Sequence, residues 1–215
     1  MKKVLLSSFA IAVVVISTSA FTPLKHQSET TAEKKEKAAK DVPAKWTADK
    51  AHSSVKFTVT HLVVSEVEGR FKMFDGSMET SKPDFSDAKI NFTVDVNSVD
   101  TDNEMRDKDL KGENFFAADK HPQMKFVGSS FTPVGGNKYK LAGNLTIKDV
   151  TKPVVFDVTY GGTANAMGKT KMGFKAKATI DRFDYNLKWN KATEAGGLVV
   201  SKDVDLVVNV ELNKE

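Results

Sequence analysis

The chain has 215 residues, a formal net charge of +4, 40% hydrophobic residues and no cysteine. Without cysteine there are no disulfides, no thiol nucleophile and no cysteine-ligated metal, so stability must come from buried apolar surface. Lys2 and Lys3 account for two of the net charges and residues 21–43, with five lysines against four acids, for a third; the remainder, near +1, is too small a field to attract nucleic acid.

The N terminus reads as an export signal. Lys2 and Lys3 precede an uninterrupted apolar run, Phe9 to Ile16, and Thr18-Ser19-Ala20 offers small residues of the kind a signal peptidase reads. The run is shorter than the roughly 20 apolar residues that span a bilayer. Residues 1–20 are therefore expected to be a cleaved signal peptide, placing the mature chain in the periplasm or the medium rather than across a membrane. No cysteine stands near the cleavage site, so a lipid anchor is not expected. Residues 21–43 are polar and charged, centred on Thr31 to Lys40, and read as a flexible linker with too little apolar content to pack.

From residue 44 to the C terminus one pattern dominates. Eight stretches alternate apolar and polar residues, and side chains that alternate with period two belong to strands with one dry face and one wet face. Strand one, about Ser53 to Thr60, aligns Val55, Phe57 and Val59. Strand two, about Glu66 to Phe74, aligns Val67, Gly69, Phe71 and Met73. Strand three, about Ala88 to Asn97, aligns Ile90, Phe92, Val94 and Val96. A polar segment, Asp100 to Leu110, then ends at Phe115-Phe116 and reads as a loop with a short helix. Strand four is about Gln123 to Phe131, and Gly135-Gly136-Asn137 signals a hairpin.

Strand five, about Lys138 to Lys148, aligns Tyr139, Leu141, Gly143, Leu145 and Ile147. Strand six, about Pro153 to Tyr160, aligns Val154, Phe156, Val158 and Tyr160, before a break at Gly161-Gly162. Strand seven, about Thr170 to Ile180, alternates most cleanly, with apolar residues at even positions and mostly lysine between them. Strand eight, about Asp203 to Leu212, aligns Val204, Leu206, Val208, Val210 and Leu212. The fold class this predicts is all-β: a single eight-stranded antiparallel barrel with a short helix or loop insertion between strands three and four. Such a barrel is either filled by its own side chains or holds one small ligand. Gly69, Gly143, Ala176 and Ala178 on the apolar phase suggest spare volume; the alternative is that the glycines relieve curvature.

Little else carries chemistry. The histidines are His26, His52, His61 and His121; His52 and His61 flank strand one about 30 Å apart and cannot share a metal. No nucleophile elbow or serine–histidine–acid grouping is visible. Neither a catalytic residue nor a metal or other cofactor is expected.

The motifs do form an ordered set. Trp46-Thr47-Ala48-Asp49 and His52 to Phe57, followed by His61, Gly69-Arg70-Phe71, Arg106-Asp107 with Leu110 and Phe115-Phe116, resemble the YceI-like polyisoprenoid-binding proteins. Pro122, Met124 and Phe126, then Gly143 to Ile147, Val150 to Val154 and Arg182 continue the likeness through the chain beyond residue 45. Two places depart from the family pattern: Lys148-Asp149 replaces a glycine-containing turn, and Asp184-Tyr185-Asn186 replaces an aromatic–glycine pair.

The resemblance implies a lipocalin-like barrel, 44–215, that is exported, is not an enzyme, and holds an amphiphilic lipid such as a polyisoprenoid, quinone or fatty acid derivative. The chain is expected to be a monomer or homodimer. Candidate wall residues are Phe57, Val59, His61, Phe71, Phe92, Val94, Phe115, Phe126, Leu145, Phe156, Phe174 and Trp189, each of which serves equally as plain core. Arg70, Arg106 and Arg182 are head-group candidates, since guanidinium binds phosphate and carboxylate bidentately; the alternative is that Arg106 and Asp107 pair beneath the barrel and fix the loop. His61 lines the mouth or simply ends strand one. The rival to a ligand-holding barrel is a structural or protein-interaction barrel with a filled interior.

Overall fold

Every one of the eight alternating stretches forms a strand in the computed structural model, which describes residues 43–166, 168–191 and 197–215. The expected signal peptide and all but the last residue of the expected linker lie outside the described residues. The strand segments are β1 (Ala44–Ala48), β2 (Ser54–His61), β3 (Ser65–Phe71), β4 (Phe74–Thr80), β5 (Lys89–Asp95), β6 (Val99–Asp100), β7 (Gln123–Gly135), β8 (Lys138–Ile147), β9 (Val150–Ala166), β10 (Lys169–Asp181) and β11 (Val200–Lys214). Among the described residues one α-helix, α1 (Glu104–Lys111), precedes β7.

The order β1-β4-β5-β7-β8-β9-β10-β11 closes on itself. β11 pairs with β10 along its length, while its last residues pair with β1, Trp46 opposite Lys214 and Ala48 opposite Leu212. β2 continues the line of β1 along β11, β3 that of β4, and β6 that of β5. The segments thus make eight staves, all antiparallel, of one closed barrel.

Three staves break and change phase, the β5–β6 one across the 3-10 turn at Val96–Ser98, which period-two reading does not detect. In β3 the inward residues are odd, ending at Phe71; in β4 they are even, Phe74, Gly76 and Met78. Two residues, Lys72 and Met73, stand between inward Phe71 and Phe74 where one would keep the phase, held by Lys72 N–H to Ser98 O (3.1 Å) and Met73 N–H to Ser98 Oγ (3.0 Å). Met73, expected on the dry face, is therefore 59% exposed. The same change separates β1 from β2, where residues 49–53 turn a corner.

That corner is stapled by charge. Lys171 Nζ lies 2.9 Å from Asp49 Oδ2 and 2.6 Å from Glu211 Oε1, with His52 Nδ1 3.1 Å from Asp49. The Lys171 ammonium, and then His52, hold the Asp49 carboxyl far below the usual range. A third difference lies at Gly161-Gly162. The chain does not break there; β9 runs on to Ala166, and Gly162 (φ +109°) opposite Gly173 forms a bulge in the β9–β10 ladder.

The two barrel ends differ. At one, Phe85 from the β4–β5 loop is 7% exposed and packs on Phe131, Tyr139, Tyr160 and Phe174 with ring centroids 5.2–6.1 Å away. These rings close that end. The other end carries α1, the β2–β3 and β8–β9 turns, and residues 182–191 after β10. Asn103 caps α1 by accepting from Arg106 N–H, with Glu104 and Asp107 in its first turn and Lys108 and Lys111 in its last, as the helix dipole favours. Lys148 (φ 53°) and Asp149 (φ 61°) form the two-residue β8–β9 turn, and Asn186 (φ 58°) ends a 3-10 turn, so both departures from the family pattern fall on left-handed backbone.

Two other carboxylates are held as Asp49 is. Asp87 is lowered by the hydroxyls of Ser81 (2.5 Å) and Thr80 (2.6 Å), and Asp100 first by Lys72 and also by Arg70. A carboxyl whose folded pKa lies below its unfolded value of about 3.9 contributes stability above that pH and loses it as the pH falls through the folded value. The melting temperature is expected to be level from about pH 7 to 5 and to drop below about pH 4. Asp87→Asn should melt lower at neutral pH and show a shallower acid decline; an acid-insensitive melting curve would refute the assignment.

Candidate functional site

Alternation around a closed ring points one set of side chains at a common axis, and in this barrel they leave space. An upper chamber of about 170 Å³ lies toward the α1 end and a lower chamber of about 110 Å³ toward the Phe85 cluster. Phe92, Phe126, Phe156 and Val208 border both and form a waist between them. Phe126 and Phe156 meet edge to face, centroids 5.3 Å apart. Apart from Lys56, Lys125, Ser77 and Arg182, both chambers are lined by apolar residues.

Glycines explain why the twelve phenylalanines beyond residue 43 do not fill the bore. A Cβ on Gly69 would collide with the Phe57 ring and stand 2.8 Å from Thr101 Cγ2; one on Gly76 would stand 2.6 Å from Phe92; one on Gly143 would strike the Phe126 ring. Gly69 faces Phe57 and Gly76 faces Phe92 directly across the ladder. Each glycine is thus a pit in which a neighbouring ring lies against the wall, the pairing known as aromatic rescue. The glycines create lumen indirectly, by letting rings fold flat.

The predicted wall residues fall into three groups. Phe57, Val59, Phe71, Phe92, Val94, Phe115, Phe126, Leu145 and Phe156 line the upper chamber, and Phe174 lines the lower one. His61 and Trp189 line neither; they border a vestibule of about 600 Å³ beyond the upper chamber, together with Phe57, Val59, Leu110, Phe115 and Val200, which border both. Phe115 packs on Trp189 at 5.2 Å, and Phe116 packs edge-on against Phe71. The vestibule is polar on its α1 side, where Arg106, Lys108, Asp109, Glu113 and Asn114 line it.

The three arginines separate clearly. Arg70 lies on the outer face, paired with Asp100 (2.9 Å) and Asp102 (3.0 Å). Arg106 borders the vestibule, donating from Nε to Thr101 Oγ1 (2.8 Å) and from Nη2 to Thr101 O (2.7 Å), while Asp107 accepts from Thr101 N–H and hydroxyl. That knot on one buried threonine anchors α1 under the barrel mouth. Arg182, 4% exposed, borders the upper chamber, but its guanidinium donates to four backbone carbonyls: Ser201 (2.9 Å), Trp189 (2.8 Å), Val200 (3.1 Å) and Leu187. Burial lowers its pKa, and it also lies over the Phe183 ring at 4.5 Å. Its donors are directed at the chain, so it clamps the segment after β10 to the start of β11.

Sequence reasoning missed part of the wall. β11 contributes Val200, Val204, Leu206 and Val208 to the upper chamber and Val208, Val210 and Leu212 to the lower, making it the longest single side of the bore. Their alternation was plain; nothing local marked them as lining space. Phe85 had one signal, a lone aromatic within the polar loop Lys82-Pro83-Asp84-Phe85-Ser86-Asp87. Among the described residues, Asp49, His52 and Glu211 form one group at metal-ligand spacing, but the Lys171 ammonium stands between the two carboxylates.

A family model described as the YceI-like domain matches residues 46–212. The chain belongs to the YceI-like family. A UPF0312 protein of Staphylococcus aureus (strain MSSA476) is 38% identical to this YceI-like chain over 170 residues, 78% of it and 96% of the relative. BcnA of Burkholderia cenocepacia superposes with a TM-score of 0.67 at 27% identity, over 76% of this chain and 98% of that one. The YCEI protein of Campylobacter jejuni gives a TM-score of 0.63 at 33% identity, over 73% and 90%. A polyisoprenoid binding domain from Saccharophagus degradans, at 15% identity and a TM-score of 0.61 over 79% and 98%, shares the fold.

The Arg182 clamp makes a distinguishing prediction. Arg182→Met leaves four carbonyls short of donors and should lower stability by about 3 kcal/mol or more. Arg182→Lys, with no fork to span them, should recover only part of it. A chemical denaturation series checks both; a variant of normal stability that merely loses an anionic ligand would instead assign Arg182 to a head group.

Proposed function

We propose that this YceI-like protein is an exported carrier that holds a long isoprenoid or similar amphiphilic lipid, tail inward, in the barrel. The observation that carries this reading is the pair of apolar chambers joined at an aromatic waist and opening on a polar vestibule. An apolar cavity of about 150 Å³ stays dry and accepts a benzene-sized molecule. By that measure the two chambers suit a tail on the order of ten to fifteen carbons with the side chains where they stand. Longer tails need the rings at the waist to turn.

The energetics favour binding. Each buried methylene contributes about 0.8 kcal/mol, so a fifteen-carbon tail gains on the order of 12 kcal/mol. Ordering the ligand costs several kcal/mol, which leaves micromolar affinity or better. The head would rest in the vestibule among His61, Arg106, Asp109 and Asn114. Binding rather than catalysis fits a lining with almost no polar group, and the polyisoprenoid binding domain of Saccharophagus degradans has the same fold. The export signal read in residues 1–20 fits a carrier that works in the cell envelope.

Native mass spectrometry of protein purified without detergent, followed by organic extraction, tests the reading. A lipid adduct, or a rise in melting temperature with added isoprenoid alcohols or quinones, is expected; bare protein that responds to neither would defeat it. Ala176 borders the lower chamber, so Ala176→Phe should fill that chamber and leave the upper one. The variant is expected to keep ligands of about eight carbons and lose those of about fifteen or more, as measured by competition with a fluorescent fatty acid.

A further inference from the structure

The β2–β3 hairpin ends in an apolar tip that the fold itself does not require. Leu62, Val63 and Val64 are 42%, 79% and 84% exposed. Val64 N–H donates to His61 O (3.2 Å), closing a turn whose two central residues, Leu62 and Val63, have φ of 53° and 66°. Asparagine and glycine are the residues that accept such backbone readily, whereas a β-branched valine there is strained. The chain therefore tolerates strain at this tip in order to present three apolar side chains to the outside.

The tip is built into the rim of the vestibule. Leu62 N–H donates to Val199 O (2.8 Å), and Val199 N–H donates to Lys191 O (2.9 Å). Val199, His61 and Trp189 line the vestibule, while Lys188 and Lys191 on the same segment as Trp189 are exposed. Two acids are near the tip on β3: Glu68, which pairs with Lys56 at 2.8 Å, and Glu66. An apolar tip, a tryptophan and exposed lysines around one opening match the layers of a bilayer surface, acyl chains beneath interfacial aromatics and anionic phosphates.

We propose that the rim formed by Leu62–Val64, Trp189, Lys188 and Lys191 docks on a lipid bilayer, the tip entering the head-group boundary so that the vestibule faces the membrane. A tail then passes between bilayer and channel without crossing water. The transfer rests on the lipid-carrier reading; the docking does not, and the two are measured separately.

The cysteine-free chain suits a labelling test. Val63→Cys carries an environment-sensitive nitrobenzoxadiazole dye, and Val134→Cys, 56% exposed in the β7–β8 hairpin at the opposite end, serves as control. Both variants keep the same N terminus, so a difference between them reports the rim. With phosphatidylethanolamine–phosphatidylglycerol vesicles, the dye at 63 should brighten several-fold and shift to the blue while that at 134 stays unchanged. Equal responses, or none at 63, would overturn the proposal. So would a blue shift at 63 that grows with protein concentration without vesicles, because a second copy would then be covering the tip. The double variant Leu62→Asn/Val63→Gly supplies the second arm. It should melt at or above the parent temperature, retain its lipid adduct in native mass spectrometry, and bind vesicles about tenfold more weakly. Unchanged vesicle binding would overturn docking, whereas loss of the adduct from parent and variant alike would bear on the carrier reading alone.

Discussion

β11 hydrogen-bonds on both sides, to β10 along one edge and to β2 and then β1 along the other. This closure is the constraint from which the remaining structure follows. It removes the open sheet edges, which otherwise invite pairing with other chains. It also commits every inward side chain to one narrow space. In a ring of eight staves that space is only about wide enough for side chains or for one slender ligand. What decides between the two is how far each inward side chain reaches toward the axis.

Phenylalanine reaches farthest, and the barrel controls it with glycine. Where Phe57, Phe92 and Phe126 lean over Gly69, Gly76 and Gly143, the ring gives its area to the wall and leaves the axis open. Where no glycine lies beneath, at Phe85, Phe131, Tyr139, Tyr160 and Phe174, rings stack on one another and the bore ends. Aromatic rings thus make both the wall and the stopper. The polar groups follow the same polarity of ends. Arg106, Asp107 and Thr101 tie α1 under the mouth, Arg182 spends its donors on carbonyls, and the lysine-rich outer face of β10 stays in water. A cation is tolerated beside the apolar chamber because four of its five N–H donors have carbonyl partners.

Much of this was legible in the chain. Eight strands and the dry-face residues of β2, β5, β8 and β11 follow from period two, and the short helix from the polar segment Asp100 to Leu110. The corners were not, because one extra residue, as at Lys72-Met73, reverses the phase without altering the alternation on either side. Met73 was assigned to the wrong face for that reason. Gly161-Gly162 looked like an end because glycine marks breaks and bulges alike, and only pairing with β10 distinguishes them. The arginines were equivocal for a similar reason: a guanidinium suits a carboxylate, a phosphate or a set of carbonyls, and its partners lie in segments that sequence does not place beside it.

Alternation is a property of neighbours two apart, so the sequence by itself determined that the chain forms a sheet with a dry face rich in valine and phenylalanine. Which residues meet across that face is a property of partners up to 168 positions apart, Trp46 and Lys214 among them. Ring closure, register and twist set those meetings, and they alone decided that the bore divides at Phe92, Phe126 and Phe156, ends at Phe85 and opens beside Trp189. Composition supplied the grease; tertiary packing decided where it is solid and where it leaves room, because free volume depends on the direction of each ring and not on its presence.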